Sequence, residues 1–63
     1  MTVKTYRAEV TREDGWLMIS VPELDLLTQA EHWGEVTLMA RDVIALELDI
    51  EVEDVQVQIA NRT

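Results

Sequence analysis

The sequence predicts a small α+β domain in which a single helix covers one side of a four-stranded sheet. One stretch, Trp33 to Leu48, repeats apolar residues at helical spacing, and no comparable stripe exists elsewhere. The remaining apolar segments are short and strand-like, too small to bury themselves without something to lie against. A chain of 63 residues supports one core only, so residues 1–63 read as a single domain.

Lys4 to Arg12 alternates, with Tyr6, Ala8 and Val10 on one face and Thr5, Arg7, Glu9 and Thr11 on the other. Asp14-Gly15 follows, a strong hairpin signal because both positions of its two-residue turn require positive φ. Trp16 to Val21 returns as the second strand. A two-residue turn sets Glu13 opposite Trp16, Thr11 opposite Met18 and Val10 opposite Ile19. Leu17, Ile19 and Val21 then share the inner face with Tyr6, Ala8 and Val10, while Trp16, Met18 and Ser20 lie outside. Pro22 lacks a backbone donor and ends the pairing. Pro22 to Asp25 reads as a short connection with Leu24 tucked beneath it, and Leu26 to Ala30 as a brief third strand. Its inward set is open between Leu27/Gln29 and Leu26/Thr28/Ala30, with the first pair weakly preferred.

His32 stands near the helix N-cap, and Glu35 takes the capping-box position. Val36, Met39, Ala40, Val43 and Leu46 form the predicted apolar stripe, with Trp33, Ile44 and Leu48 on its flank. Leu38 falls on the far face. Asp49 to Asp54 is an acidic return loop. Val55, Val57 and Ile59 then alternate with Gln56, Gln58 and Ala60 as a fourth strand, before a frayed Asn61-Arg62-Thr63. A right-handed strand–helix–strand crossover gives β-β-β-α-β with sheet order 3-2-1-4, strand 4 parallel to strand 1.

Thirteen acidic residues face five basic ones, for a net charge of −8. The imbalance is concentrated. Residues 23–54 carry ten carboxylates and only Arg41 as a cation. Such a field repels nucleic acid, so direct nucleic-acid binding by this chain alone is not expected, and it draws a basic partner inward. It also serves plain solubility. With no cysteine there is neither a disulfide framework nor a thiolate metal site. A core this small is commonly completed by self-association, and a homodimer is the expected form. No apolar run approaches the ~20 residues of a membrane span, and the expected compartment is the cytoplasm.

The chemistry of catalysis is thin. Ser20 and the lone His32 have no spacing that unites them with a carboxylate. His32 has no second histidine as a metal partner, and the run Glu47, Asp49, Glu51, Glu53, Asp54 lacks the glycine turn of a calcium loop. There is no phosphate-cradling glycine loop. No enzymatic activity and no cofactor are expected. Interaction residues are more evident. Trp16 and Met18 on the uncovered sheet face, and Leu38 on the outer side of the helix, are the candidates for a partner or dimer contact. Glu47, Asp49, Glu51 and Asp54 are the candidates for electrostatic steering.

The order of short motifs resembles the N-terminal half of HicB-family antitoxins. Tyr6-Arg7-Ala8-Glu9-Val10 matches the family's first strand. Asp14-Gly15-Trp16-Leu17-Met18-Ile19-Ser20-Val21-Pro22-Glu23-Leu24 matches its Gly-aromatic-apolar strand and following Pro-acidic-Leu. Thr28-Gln29-Ala30, then Glu35 and the helix from Val36 to Leu46, continue the match. The family typically has Gly where Ala30 stands and Ser or Thr near His32. The resemblance implies a partial ribonuclease-H-like fold without nuclease activity. Its usual task is to neutralise a HicA toxin, a small basic RNA-cleaving protein, by occluding its active surface. The family's C-terminal DNA-binding motif has no counterpart in these residues, so autorepression by this polypeptide alone is not expected. The alternative is an orphan HicB-like domain that assembles with itself and has no toxin.

Overall fold

The Asp14-Gly15 turn sets the geometry from which the rest of the sheet follows. A computed structural model describes residues 4–61. In it Asp14 has φ 52° and Gly15 φ 84°, the paired positive angles of a type I′ turn, whose twist matches the strands it joins. Strand β1 spans Thr5–Glu13 and β2 spans Trp16–Val21. They pair antiparallel with Glu13 opposite Trp16, Thr11 opposite Met18 and Val10 opposite Ile19, the register that the turn predicts. Pro22–Leu24 forms a 3-10 turn that ends at Asp25 in the left-handed region, and β3 follows at Leu26–Ala30. The main helix, α1, spans Val36–Leu48, and β4 spans Gln56–Asn61. The sheet has the order β3-β2-β1-β4, with β4 parallel to β1. The molecule is thus an α+β fold with a four-stranded mixed sheet and one helix.

The core lies between the sheet's inner face and α1. Ala8, Val10, Leu17, Ile19, Val21, Val36, Ala40, Ile44 and Val55 are fully buried, and Tyr6, Leu24, Met39 and Val43 pack around them. In parallel register Tyr6 stands beside Val57 and Ala8 beside Ile59, so β4 adds its aliphatic side chains to the same layer.

Several sequence readings are corrected. The preference for Leu27/Gln29 as the inward set of β3 is reversed. Leu26 pairs with Val21, Thr28 with Ile19 and Ala30 with Leu17, and residues opposite each other share a face. Leu26, Thr28 and Ala30 therefore point inward, and Leu27 is 65% exposed. The helical stripe is also rotated from the expected one. Leu46, expected inside, is 83% exposed, whereas Ile44, expected on the flank, is at 0%. Val36, Ala40, Ile44 and Leu48 form one i, i+4 row. Such a row is inclined to the helix axis, and it is this ridge that meets the sheet. Trp33–Glu35 is a 3-10 turn rather than the first α-turn, entered from an extended His32 whose side chain makes no capping hydrogen bond. Glu35 does reach back, its carboxylate accepting from the backbone N–H of Glu31 at 3.3 Å, one residue earlier than a capping box places it. Asn61 closes β4 opposite Val10 instead of fraying, and Arg62 and Thr63 lie outside the described residues.

Candidate interaction surfaces

Apart from Trp33, which is exposed in the 3-10 turn ahead of α1, the exposed large apolar side chains among the described residues fall into three places. The first is the sheet's outer face. Trp16 is 39% exposed at the hairpin end, opposite Glu13. Met18 is half-buried between Thr11 of β1 and Gln29 of β3. Leu27 stands opposite Ser20, diagonal to Met18, and extends the patch. Leu27 was hidden from sequence reasoning by the wrong facing of β3. Its signal was the register itself, since the partner of Ser20 had to lie outside with it.

The second feature is Leu38, which is 56% exposed. It lies on the side of α1 turned away from the sheet, so the helix and the sheet stand between it and the Trp16–Met18 patch. The fold does not unite these three residues in one surface.

The third feature lies where α1 ends. Glu47, Asp49, Glu51 and Asp54 are all exposed and cluster along the last turn and the return loop. Asp49 takes φ 57° as the helix C-cap. The backbone N–H of Ile50 donates to the Ala45 carbonyl at 3.1 Å, the six-to-one bond of a Schellman motif. That reversal lays Ile50 back along the helix beside Leu46. The Val52–Asp54 3-10 turn follows, and Arg41 holds it, Nη2 donating to the Val52 carbonyl at 2.9 Å. Arg41 is the one cation among residues 23–54, and this hydrogen bond goes to backbone, not to a carboxylate. Between Leu46 and the loop lies a groove of about 480 Å³, whose apolar floor the sequence did not disclose.

Ser20 stands on the outer face opposite Leu27, while His32 follows the far end of β3. Among the described residues no three of His, Asp and Glu are grouped as a metal set, and no helix is long and apolar enough to cross a membrane. Comparison with protein-family models, with curated proteins and with solved structures finds no match.

Proposed function

We propose that this chain is a HicB-like protein-binding module of the cytoplasm that neutralises a small basic RNA-cleaving toxin of the HicA type. It would act by covering the toxin's RNA-contacting surface, with no catalysis of its own. The observation that carries the reading is the β-β-β-α-β order in a 3-2-1-4 sheet, coupled to a carboxylate-rich helix end. That order agrees with the fold the motif resemblance implies, and the charge suits a basic partner. The test is co-expression with a basic protein encoded beside this chain. Relief of its toxicity and co-purification of the pair support the reading. A neighbour that is neither toxic nor bound overturns it.

A second reading, self-assembly without a toxin, draws on the outer-face apolar residues Trp16, Met18 and Leu27. If that face joins two copies, Met18→Asp converts the dimer to a monomer in sedimentation while the circular dichroism spectrum is retained. A dimer of unchanged mass in the variant removes this face as the contact.

A further inference from the structure

We infer that the groove at the C-terminal end of α1 is a docking site for a segment of a partner protein that carries an apolar side chain between basic residues. This rests on the binding-module reading and specifies where the partner is gripped. Ala45, Leu46, Ile50 and Val52 supply the apolar lining of the groove. Leu46 is 83% exposed and Ile50 43% exposed. A single exposed leucine is ordinary, but two large aliphatic side chains bordering one concavity are a place for an apolar anchor. The groove is also built in advance. Its wall is fixed by the Ile50-to-Ala45 backbone bond at 3.1 Å and by Arg41 on the Val52 carbonyl at 2.9 Å. Little ordering is then left for binding to impose.

Charge selects the occupant. Asp42, Asp49 and Glu51 line the same groove, and among the described residues no cation does. The helix C-terminus adds its own negative end, uncompensated by any basic residue in the last turn. A second copy of this chain would set these carboxylates against their own duplicates. Anionic lipid headgroups and nucleic acid meet the same repulsion. A peptide segment with Lys or Arg on either side of a Leu- or Ile-sized side chain satisfies both the rim and the floor. The rim then governs the rate of encounter, and the apolar anchor governs how long the complex lasts.

The test uses the full chain, labelled with nitrogen-15, and three synthetic peptides of equal length. One is an amphipathic leucine–lysine helix, the second replaces its lysines with glutamate, and the third replaces its leucines with serine. The leucine–lysine peptide is expected to shift the amide signals of residues 42–52 saturably, and each of the other two to bind at least ~10-fold more weakly. Leu46→Ser, which changes no charge at a side chain outside the core, is expected to lower the affinity ~10-fold with the spectrum otherwise preserved. Equal binding by Leu46→Ser, or shifts centred on Trp16, Met18 and Leu27, overturns the site. So does a lack of binding. The antitoxin reading fails separately. A Leu46→Ser chain that neutralises its toxin as well as the parent does sinks the groove alone. A parent chain that binds the peptide in the groove yet relieves no toxin sinks the antitoxin role alone.

Discussion

Asp14, Asp25 and Asp49 hold φ of 52°, 55° and 57°, and each sits where the chain reverses. Aspartate tolerates the left-handed region better than most residues because its short side chain can bond locally, so the cost relative to glycine is at the low end of the usual range, about 1 kcal/mol. Asp49 bears a second burden, since its carboxylate lies at the negative end of α1 with no basic residue in the last turn. Relief of that charge is worth about 0.3–1 kcal/mol. Glycine's extra freedom in the unfolded chain takes back about 0.4–1 kcal/mol. Asp49→Gly is therefore expected to stabilise by about 1 kcal/mol and raise Tm by about 4–8 °C in a domain this small. Asp49→Asn, which removes only the charge, should fall between. A thermal melt showing no gain for glycine refutes the strain assigned to this cap. Lys4 offers a pH test. Its ammonium lies 2.8 Å from Glu23, and the hydrogen bond and then the charge of Glu23 raise its pKa above the ordinary 10.5. A cation whose pKa is raised by folding stabilises the fold while it stays protonated, and that contribution disappears as pH rises through the folded-state value. The pair is solvent-exposed, so the effect is small. The difference in urea midpoint between the parent and Lys4→Met should hold from neutral pH to about 9 and close above the lysine range. A difference that widens there refutes the pairing.

The helix shows how much a periodic pattern decides and where it stops. The stripe expected from spacing, Val36, Met39, Ala40, Val43 and Leu46, runs along the axis, whereas the residues buried deepest follow the slanted row Val36–Ala40–Ile44, with Met39, Val43 and Leu48 packed beside it. Both rows share Val36 and Ala40, so the existence of the helix and its end at Leu48 were legible, whereas its start was not: α1 begins at Val36 instead of Trp33. The choice between the two rows depends on how the helix crosses the strands, which no local spacing encodes. Ile44→Ala is accordingly expected to cost about 2–5 kcal/mol, as a cavity under the sheet. Leu46→Ala should stay within about 0.5 kcal/mol of the parent. Equal losses in chemical denaturation would return Leu46 to the core and discard the slanted ridge. The strands divide in the same way. β2 was fully legible because Gly15 and Pro22 punctuate it and the two-residue turn fixes its facing. β3 had the right bounds and the wrong preferred face. Its entry through the 3-10 turn and left-handed Asp25 sets Leu26 opposite Val21, and turn geometry of that kind is not written in the alternation of Leu26–Ala30.

At the scale of the molecule, the surfaces were legible in proportion to how local they are. Trp16 and Met18 follow from one hairpin turn, and the carboxylates of the return loop are contiguous in sequence. The groove was not legible, because its floor forms only when the reversal at Asp49 brings Ile50 back beside Leu46. Leu38 was rightly placed outside, but its distance from the sheet patch depends on which face the helix covers. One consequence of the charge distribution belongs to no single site. Ten carboxylates within residues 23–54 face one cation in that span, and folding brings them closer than they are in an extended chain. Against this repulsion stand Lys4–Glu23 at 2.8 Å and Arg7–Glu9 at 3.3 Å, both with substantially exposed side chains. Exposed pairs of this kind contribute little. Salt screens both effects, with a Debye length of about 30 Å at 0.01 M falling to about 8 Å at 0.15 M. With ten carboxylates against one cation in that span, added sodium chloride is expected to stabilise the fold. Thermal melts at fixed neutral pH should show Tm rising by about 4–8 °C, the equivalent of about 1 kcal/mol, before the gain levels off. If Tm instead falls with salt, the ion pairs dominate and the acidic field is weaker than the sequence charge implies. The long-range attraction for a basic partner would weaken with it.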